Sequence, residues 1–415
     1  MKKRVILTGG LTGLAIGLLL SLKCETAYGP TPYMAFSGQT ASSTTLEVST
    51  GSKSLIIPLF LPLSTAGQKV SVVSAVNDTI AMRGTITSYN QATGNLVVEI
   101  SGKNGSGTYS DWKVILGKTP EQILDSLRQA YVAMKFGMFI HFNMSTFDRC
   151  CCAGCYSVAG EWGTANADPN LFHPDSLNCG QWADVAKSAG CKYMVLTSKH
   201  HDGFCLWNSS KTNHSIAHSS WGSNRDVLRE FVDSARAEGL KVGFYYSIRD
   251  WTNGFSLNFI KGQLTELLTN YGDIVCLWFD GWAWDIGYLR VPYDTIRNLM
   301  RNLQPHCLLV ENNYYCSMKK TDIVEYELPV VGAPKVGNVL PSEGCIPIRN
   351  DWTWFWHPNG ECNLMTAQDI VKDLNDYNSR NAALLLDLSP DTTGRIPQCE
   401  FDRMKEVGQL RGIKR

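Results

Sequence analysis

From about residue 118 onward the sequence alternates between short apolar runs and helix-patterned stretches, and few folds accept that rhythm. The apolar runs span 137–142, 193–198, 241–247, 274–280, 307–311, 322–327 and 382–388. Between them lie helical patterns at 182–189, 226–238, 257–271, 293–303 and 366–377. In 226–238, Val227, Phe231, Val232 and Ala235 mark one face, and Gly239 follows as a stop. Strands separated by helices of this length imply parallel βαβ units, because a parallel crossover needs a dozen or more residues. About seven strands in roughly 300 residues, with no Gly-x-Gly-x-x-Gly after the first, favour a closed (β/α)8-like TIM barrel over a doubly wound sheet.

The preceding segment has a different texture. Residues 30–117 are rich in Ser, Thr, Gly and Val, with short alternating runs at 69–72 and 95–100 and turns at Gly94, Gly102, Gly105 and Gly107. That pattern predicts a small all-β module ahead of a barrel domain at 118–415. The stretch 105–112 resembles β modules of phage tail proteins, which implies surface or particle attachment. At the start, Lys2, Lys3 and Arg4 precede a mainly apolar run at 5–22. Residues 1–29 therefore read as a signal peptide or N-terminal anchor, removed near residues 24–29 if cleaved. A secreted or membrane-anchored cell-surface location follows. Fourteen cysteines fit an oxidising compartment. Cys150, Cys151, Cys152 and Cys155 cluster without a matching pair at zinc-finger spacing, which favours disulfides or free thiols over a metal. The 38 basic and 38 acidic residues cancel, leaving no net field toward nucleic acid.

In a barrel of this type the chemistry sits at the C-terminal ends of the strands. The first run ends in His141-Phe142 and the second leads into Lys199-His200-His201-Asp202. The third ends in Tyr245-Tyr246-Ser247 and the fourth in Trp278-Phe279-Asp280-Gly281. Ionisable groups cost several kcal/mol when buried without partners, so four such consecutive endings point to a working site. The set suits glycoside hydrolysis: a strand-end carboxylate to attack an anomeric carbon, His and Tyr to hold hydroxyls, Trp to cover the apolar sugar face. His141, His200, His201 and Asp202 have the residue types for zinc, but a sugar site explains them without an ion. No metal or organic cofactor is expected.

At these same residues the chain resembles glycoside hydrolase family 29, the α-L-fucosidases, from about Lys135 to Pro397. Residues 135–141 are similar to the family's first strand. Lys199-His200-His201-Asp202-Gly203-Phe204, followed by Leu206-Trp207, is similar to its most recognisable motif. Residues 277–281 resemble the strand bearing its nucleophile, and 384–386, 389–391 and 394–397 its final strand and loop. The resemblance implies a retaining exo-α-L-fucosidase acting on fucosylated glycans. Asp280 would be the nucleophile, His141, His200 and His201 would bind fucose hydroxyls, and Glu161-Trp162 would line the pocket. A tyrosine completes the site, with Tyr246 preferred over Tyr245.

For the acid/base the resemblance favours Glu343, in Pro341-Ser342-Glu343-Gly344-Cys345, over Glu327; Glu311, Glu325 and Glu361 trail. Phe142 stands where the family usually has Trp, so a different sugar platform is expected. Arg415 stands only 18 residues beyond Pro397, so the family's common C-terminal β-sandwich is not expected. The alternative readings are a catalytically weak fucose-binding or adhesive protein, and a hydrolase for a related α-linked sugar such as α-L-galactose.

Overall fold

The computed structural model describes residues 39–57, 66–90, 92–117, 120–149, 160–312, 321–360 and 362–414. These divide into two compact units parted at Leu127. The N-terminal segment, the cysteine cluster at 150–155 and Glu361 lie outside the described residues. No helix among the described residues is long and apolar enough to cross a membrane.

The first unit is built on antiparallel strands, as its alternation requires. Six of them, β1 (Gln39–Ser42), β3 (Gly51–Ile56), β4 (Lys69–Ser74), β5 (Ala81–Asn90), β6 (Asn95–Asn104) and β8 (Trp112–Leu116), form a sheet in the order β1-β8-β4-β5-β6-β3. Two short strands, β2 (Leu46–Glu47) and β7 (Thr108–Tyr109), pair separately. Val70, Val72, Leu96, Val98 and Ile100 are buried at every second position, which is the inward face of a pleated strand.

The second unit is a closed barrel of eight parallel strands. They are β9 (Phe136–Ile140), β10 (Tyr193–Lys199), β11 (Lys241–Ser247), β12 (Cys276–Asp280), β13 (Leu308–Glu311), β14 (Ile323–Glu327), β15 (Ser342–Pro347) and β16 (Ala382–Leu388). β16 pairs with β9 and closes the ring. The helices are α1 (Pro120–Val132), α2 (Cys179–Ala189), α3 (Val227–Ala237), α4 (Leu257–Asn270), α5 (Tyr293–Leu303), α6 (Ala367–Ser379) and α7 (Gln398–Leu410). Caps set several boundaries. Asn178 accepts from the Gln181 N–H at 2.9 Å, Asp226 from Arg229 at 2.9 Å and Thr366 from Asp369 at 3.1 Å.

One strand escapes the apolar-run criterion. β15 carries Ser, Glu, Gly and Pro in six residues, and its burial comes from the barrel around it. Its phase is fixed by Gly344, where an added Cβ would lie 1.9 Å from the Tyr377 ring on α6. Gly344 thus faces the helices, and Glu343 and Cys345 face the barrel interior. Register then sorts the interior into layers. Glu327 pairs with Cys345 at the upper level, and Glu325 with Glu343 one step below.

Candidate active site

A cavity of about 180 Å³ opens where the strands end. It falls below the roughly 300–1,000 Å³ of drug-sized ligand sites, so it suits a single small ring. Its floor and walls include Phe139, His141, His200, His201, Tyr245 and Trp278; Asp280, Asn312 and Glu327 add the polar groups.

Asp280 ends β12 with 14% of its side chain exposed. The chain turns sharply there because Gly281 takes φ 63°, and a Cβ at that position would lie 2.6 Å from Cβ of Arg249. The following π-helical turn, Trp282–Ile286, swings Trp284 back so that its indole N–H donates to Asp280 Oδ1 at 2.9 Å. The same oxygen accepts from the Gly281 N–H at 2.7 Å, and Oδ2 accepts from the Tyr245 hydroxyl at 2.9 Å. Glu311, at the end of β13, secures the turn by accepting from Ala283 N–H at 3.0 Å and from the Tyr288 hydroxyl at 2.6 Å. Asp280 is therefore held by donors on both oxygens.

A second carboxylate, Glu327, ends β14 in the same cavity. The amide of Asn312 donates to Glu327 Oε2 at 2.6 Å and reaches Asp280 Oδ1 at 3.4 Å. One nitrogen touching both caps the separation of those two oxygens at about 6 Å. Retaining glycosidases hold their carboxyl pair about 5–5.5 Å apart, and inverting ones about 6.5–9.5 Å.

The three histidines line one wall. His141 Nδ1 meets Asp387 Oδ1 at 2.6 Å. Ser247 gives its hydroxyl proton to the Arg249 carbonyl at 2.7 Å, so at 2.7 Å from His201 Nδ1 it can only accept. His201 Nε2, 3.7 Å from Asp280 Oδ2, is left as an acceptor. Burial pushes His201 down to about 4, partly offset by Asp280, and burial with its neighbours His201 and His141 pushes His200 well below the usual range. His200 and His201 are thus neutral at pH 7 and can bond hydroxyls.

Glu161 and Trp162 also face the cavity. Burial raises the Glu161 carboxyl, although the Phe355 and Trp354 N–H groups oppose the shift. Those two N–H groups donate to its Oε1 at 2.8 and 2.6 Å. It thereby holds the rim loop whose Trp354 and Phe355 rings pack on His141. The Cys362–Cys399 disulfide ties the end of that loop to α7, and the buried Arg349–Glu400 pair, 2.6 Å apart, ties its beginning.

Two sequence expectations, Tyr246 and Glu343, are corrected by this geometry. Tyr246 points outward, its hydroxyl donating to Gln263 of α4 at 2.7 Å, and Tyr245 lines the cavity. Neighbouring strand residues point to opposite faces, so only one of the two tyrosines can line the cavity, and it is Tyr245. Glu343 does not reach the cavity: it is fully buried in the layer below. Of the two acid/base candidates, Glu327 is the one that lines it. Phe142 packs among Phe147, Phe172 and Trp182 and is no part of a sugar platform. Asp202 turns away from the three histidines toward His214, 3.5 Å distant. Among the described residues no group of three or more metal-ligating side chains is arranged to hold an ion. Trp278, Trp284, Asn312 and the rim pair Trp354 and Phe355 were not singled out as site residues. For Asn312 the signal was present, since it directly follows the apolar run 307–311.

Residues 117–412 match the family model for α-L-fucosidase. Alpha-L-fucosidase 1 of Arabidopsis thaliana is 31% identical over 312 residues, covering 66% of this chain and 57% of that one. Plasma alpha-L-fucosidase of Homo sapiens is 28% identical over 270 residues, covering 57% and 54%. The chain thus spans little more than half the length of these relatives. Among solved structures, alpha-L-fucosidase isoenzyme 1 from Paenibacillus thiaminolyticus superposes with a TM-score of 0.59 at 31% identity, covering 69% of this chain and 75% of that one.

Proposed function

This chain belongs to the α-L-fucosidase family, and from that premise we propose that its barrel is a retaining exo-α-L-fucosidase with Asp280 as nucleophile and Glu327 as acid/base. The observation that supports the reading is the Asn312 amide between the two carboxylates, which holds one oxygen of each within about 6 Å, short of the separation that inversion uses. Asp280 attacks the anomeric carbon as Glu327 protonates the leaving oxygen, and a covalent fucosyl-enzyme forms. Glu327, now a base, takes a proton from water, which attacks the same carbon and frees Asp280. The donors on Asp280 keep its attacking oxygen in one orientation, an arrangement that lowers the entropic part of the barrier. Neutral His200 and His201 bond the sugar hydroxyls, Trp162 and Trp284 cover its apolar face, and the small cavity supports removal of one terminal residue. Fucosylated glycans are the substrate class.

The basic and apolar start of the chain supports export or surface anchoring, as does the Cys362–Cys399 disulfide. Attachment to a surface or particle is the role proposed for the β module.

The test is release of aryl alcohol from an aryl α-L-fucoside. Wild type is expected to turn over, and Asp280→Asn to lose about four orders of magnitude or more in kcat. Turnover that survives the substitution contradicts the nucleophile; no turnover on fucoside but turnover on α-L-galactoside contradicts the sugar.

A further inference from the structure

Below the cavity lies a second pair of carboxyls that the reaction does not use. Glu325 and Glu343 are register neighbours on β14 and β15, 2% and 0% exposed, and both face the barrel interior. Adjacent strands lie about 4.8 Å apart, so two anions here would repel each other in a medium that solvates neither. Their partners are unequal. Glu343 Oε2 accepts from the Tyr131 hydroxyl of α1 at 2.7 Å and from the Tyr193 hydroxyl, and its Oε1 accepts from the Trp278 indole N–H at 3.2 Å. No donor reaches Glu325: neither of its carboxyl oxygens has a hydrogen-bond partner. Of two neighbouring buried carboxyls, the one without donors is the one that keeps its proton. Burial pushes both groups upward, and the charge of Glu343 pushes Glu325 further, while three donors hold Glu343 lower.

Glu343 connects to the active site through Trp278. That ring lines the cavity, stacks on Tyr245 at 5.5 Å and 20°, and Tyr245 donates to Asp280. Hydrogen bonds to a charged acceptor are roughly twice as strong as neutral ones, so the buried charge fixes the indole more firmly than a neutral group would.

We propose that Glu325 and Glu343 share one proton and act as a positioning pair, in which ionised Glu343 holds Trp278, and through it Tyr245, in place beneath the substrate. The inference rests on the fucosidase reading for its readout, and the roles of the two residues are not interchangeable. A glutamine at 325 keeps a neutral group there and leaves the anion intact. A glutamine at 343 removes the anion from the Trp278 bond.

The test compares Glu325→Gln and Glu343→Gln, two substitutions of equal size, on an aryl α-L-fucoside with thermal unfolding recorded for each. Glu325→Gln is expected within about threefold of wild type in kcat and KM. Glu343→Gln is expected to lose about 10–100-fold in kcat with little change in KM, since ground-state contacts to the sugar stay. Equal behaviour of the two, in either direction, overturns the proposal, because a space-filling role treats them alike. Should Glu343→Gln fail to fold, Tyr193→Phe removes one donor from the anion outside the cavity. It is expected to lower kcat about threefold, and an unchanged kcat overturns the proposal. An infrared difference spectrum of wild type against Glu325→Gln reads the proton directly. The band of one protonated carboxyl is expected in the wild type alone, and its absence overturns the shared proton. Absent fucoside turnover in wild type would instead sink the activity assigned above, so the two failures are distinguishable.

Discussion

The barrel holds two pairs of carboxyls one layer apart, in unlike surroundings. Asp280 and Glu327 end their strands at the cavity, with an amide between them. Glu325 and Glu343 sit two residues earlier on β14 and beside it on β15, sealed from solvent. Glu325 and Glu327 belong to the same strand and the same face. What separates them is a single step of about 7 Å along the strand, from the rim into the core. A carboxyl that meets substrate and water can exchange protons with both; a sealed one can only lend its charge to neighbours.

Several substitutions would break or sharpen that contrast. The largest effect is expected at Asn312, the link within the upper pair. Asn312→Ala should lower kcat/KM on an aryl α-L-fucoside by about 100-fold, since it frees two carboxylates that must keep their spacing; a loss under threefold would mean that the bridge is incidental. Next come the two tyrosines of β11, identical in chemistry and opposite in direction. Tyr245→Phe removes a donor from Asp280 and should cost about tenfold in kcat. Tyr246→Phe should leave kcat alone and cost about 1 kcal/mol in urea unfolding, the worth of its bond to Gln263. The reverse pattern would place the wrong tyrosine at the site.

The smallest effect concerns His201, pushed down to about 4 by burial from an ordinary 6.5. Between those values the unfolded chain carries a proton there that the folded chain does not. Stability contributed by the neutral ring is therefore present above pH 6.5 and is lost as pH falls toward 4. His201→Gln should take up about one proton fewer on unfolding in that window, measured from the pH dependence of unfolding free energy. An unchanged slope would mean that the ring is charged in the folded protein.

The contrast also explains what the sequence could and could not disclose. Alternating apolar runs and helix patterns were enough for the barrel, because seven of its strands are apolar and bounded by turns. β15 was invisible to that criterion, with Ser342, Glu343, Gly344 and Pro347 among its six residues. The resemblance that favours Glu343 says nothing of depth, and the barrel's layering makes it a core residue. Strand-end position brought His141, His200, His201 and Asp280 to the cavity, since a parallel barrel exposes its residues there whatever the loops do. The preference for Tyr246 over Tyr245 fails because both are tyrosines and nothing local sets the phase of the strand. Asn312 was legible as the residue after the run 307–311, whereas Trp284 owes its place to the turn after Asp280, a tertiary fact.

The most direct test of the division of labour is azide rescue on an aryl α-L-fucoside with a good leaving group. Glu327→Gln should hydrolyse it slowly, and azide should restore turnover and yield L-fucosyl azide of retained configuration, because the anion replaces water that lacks its base. Glu343→Gln should show no response to azide. Rescue of Glu343→Gln with none for Glu327→Gln would contradict the account and return the acid/base role to the buried residue.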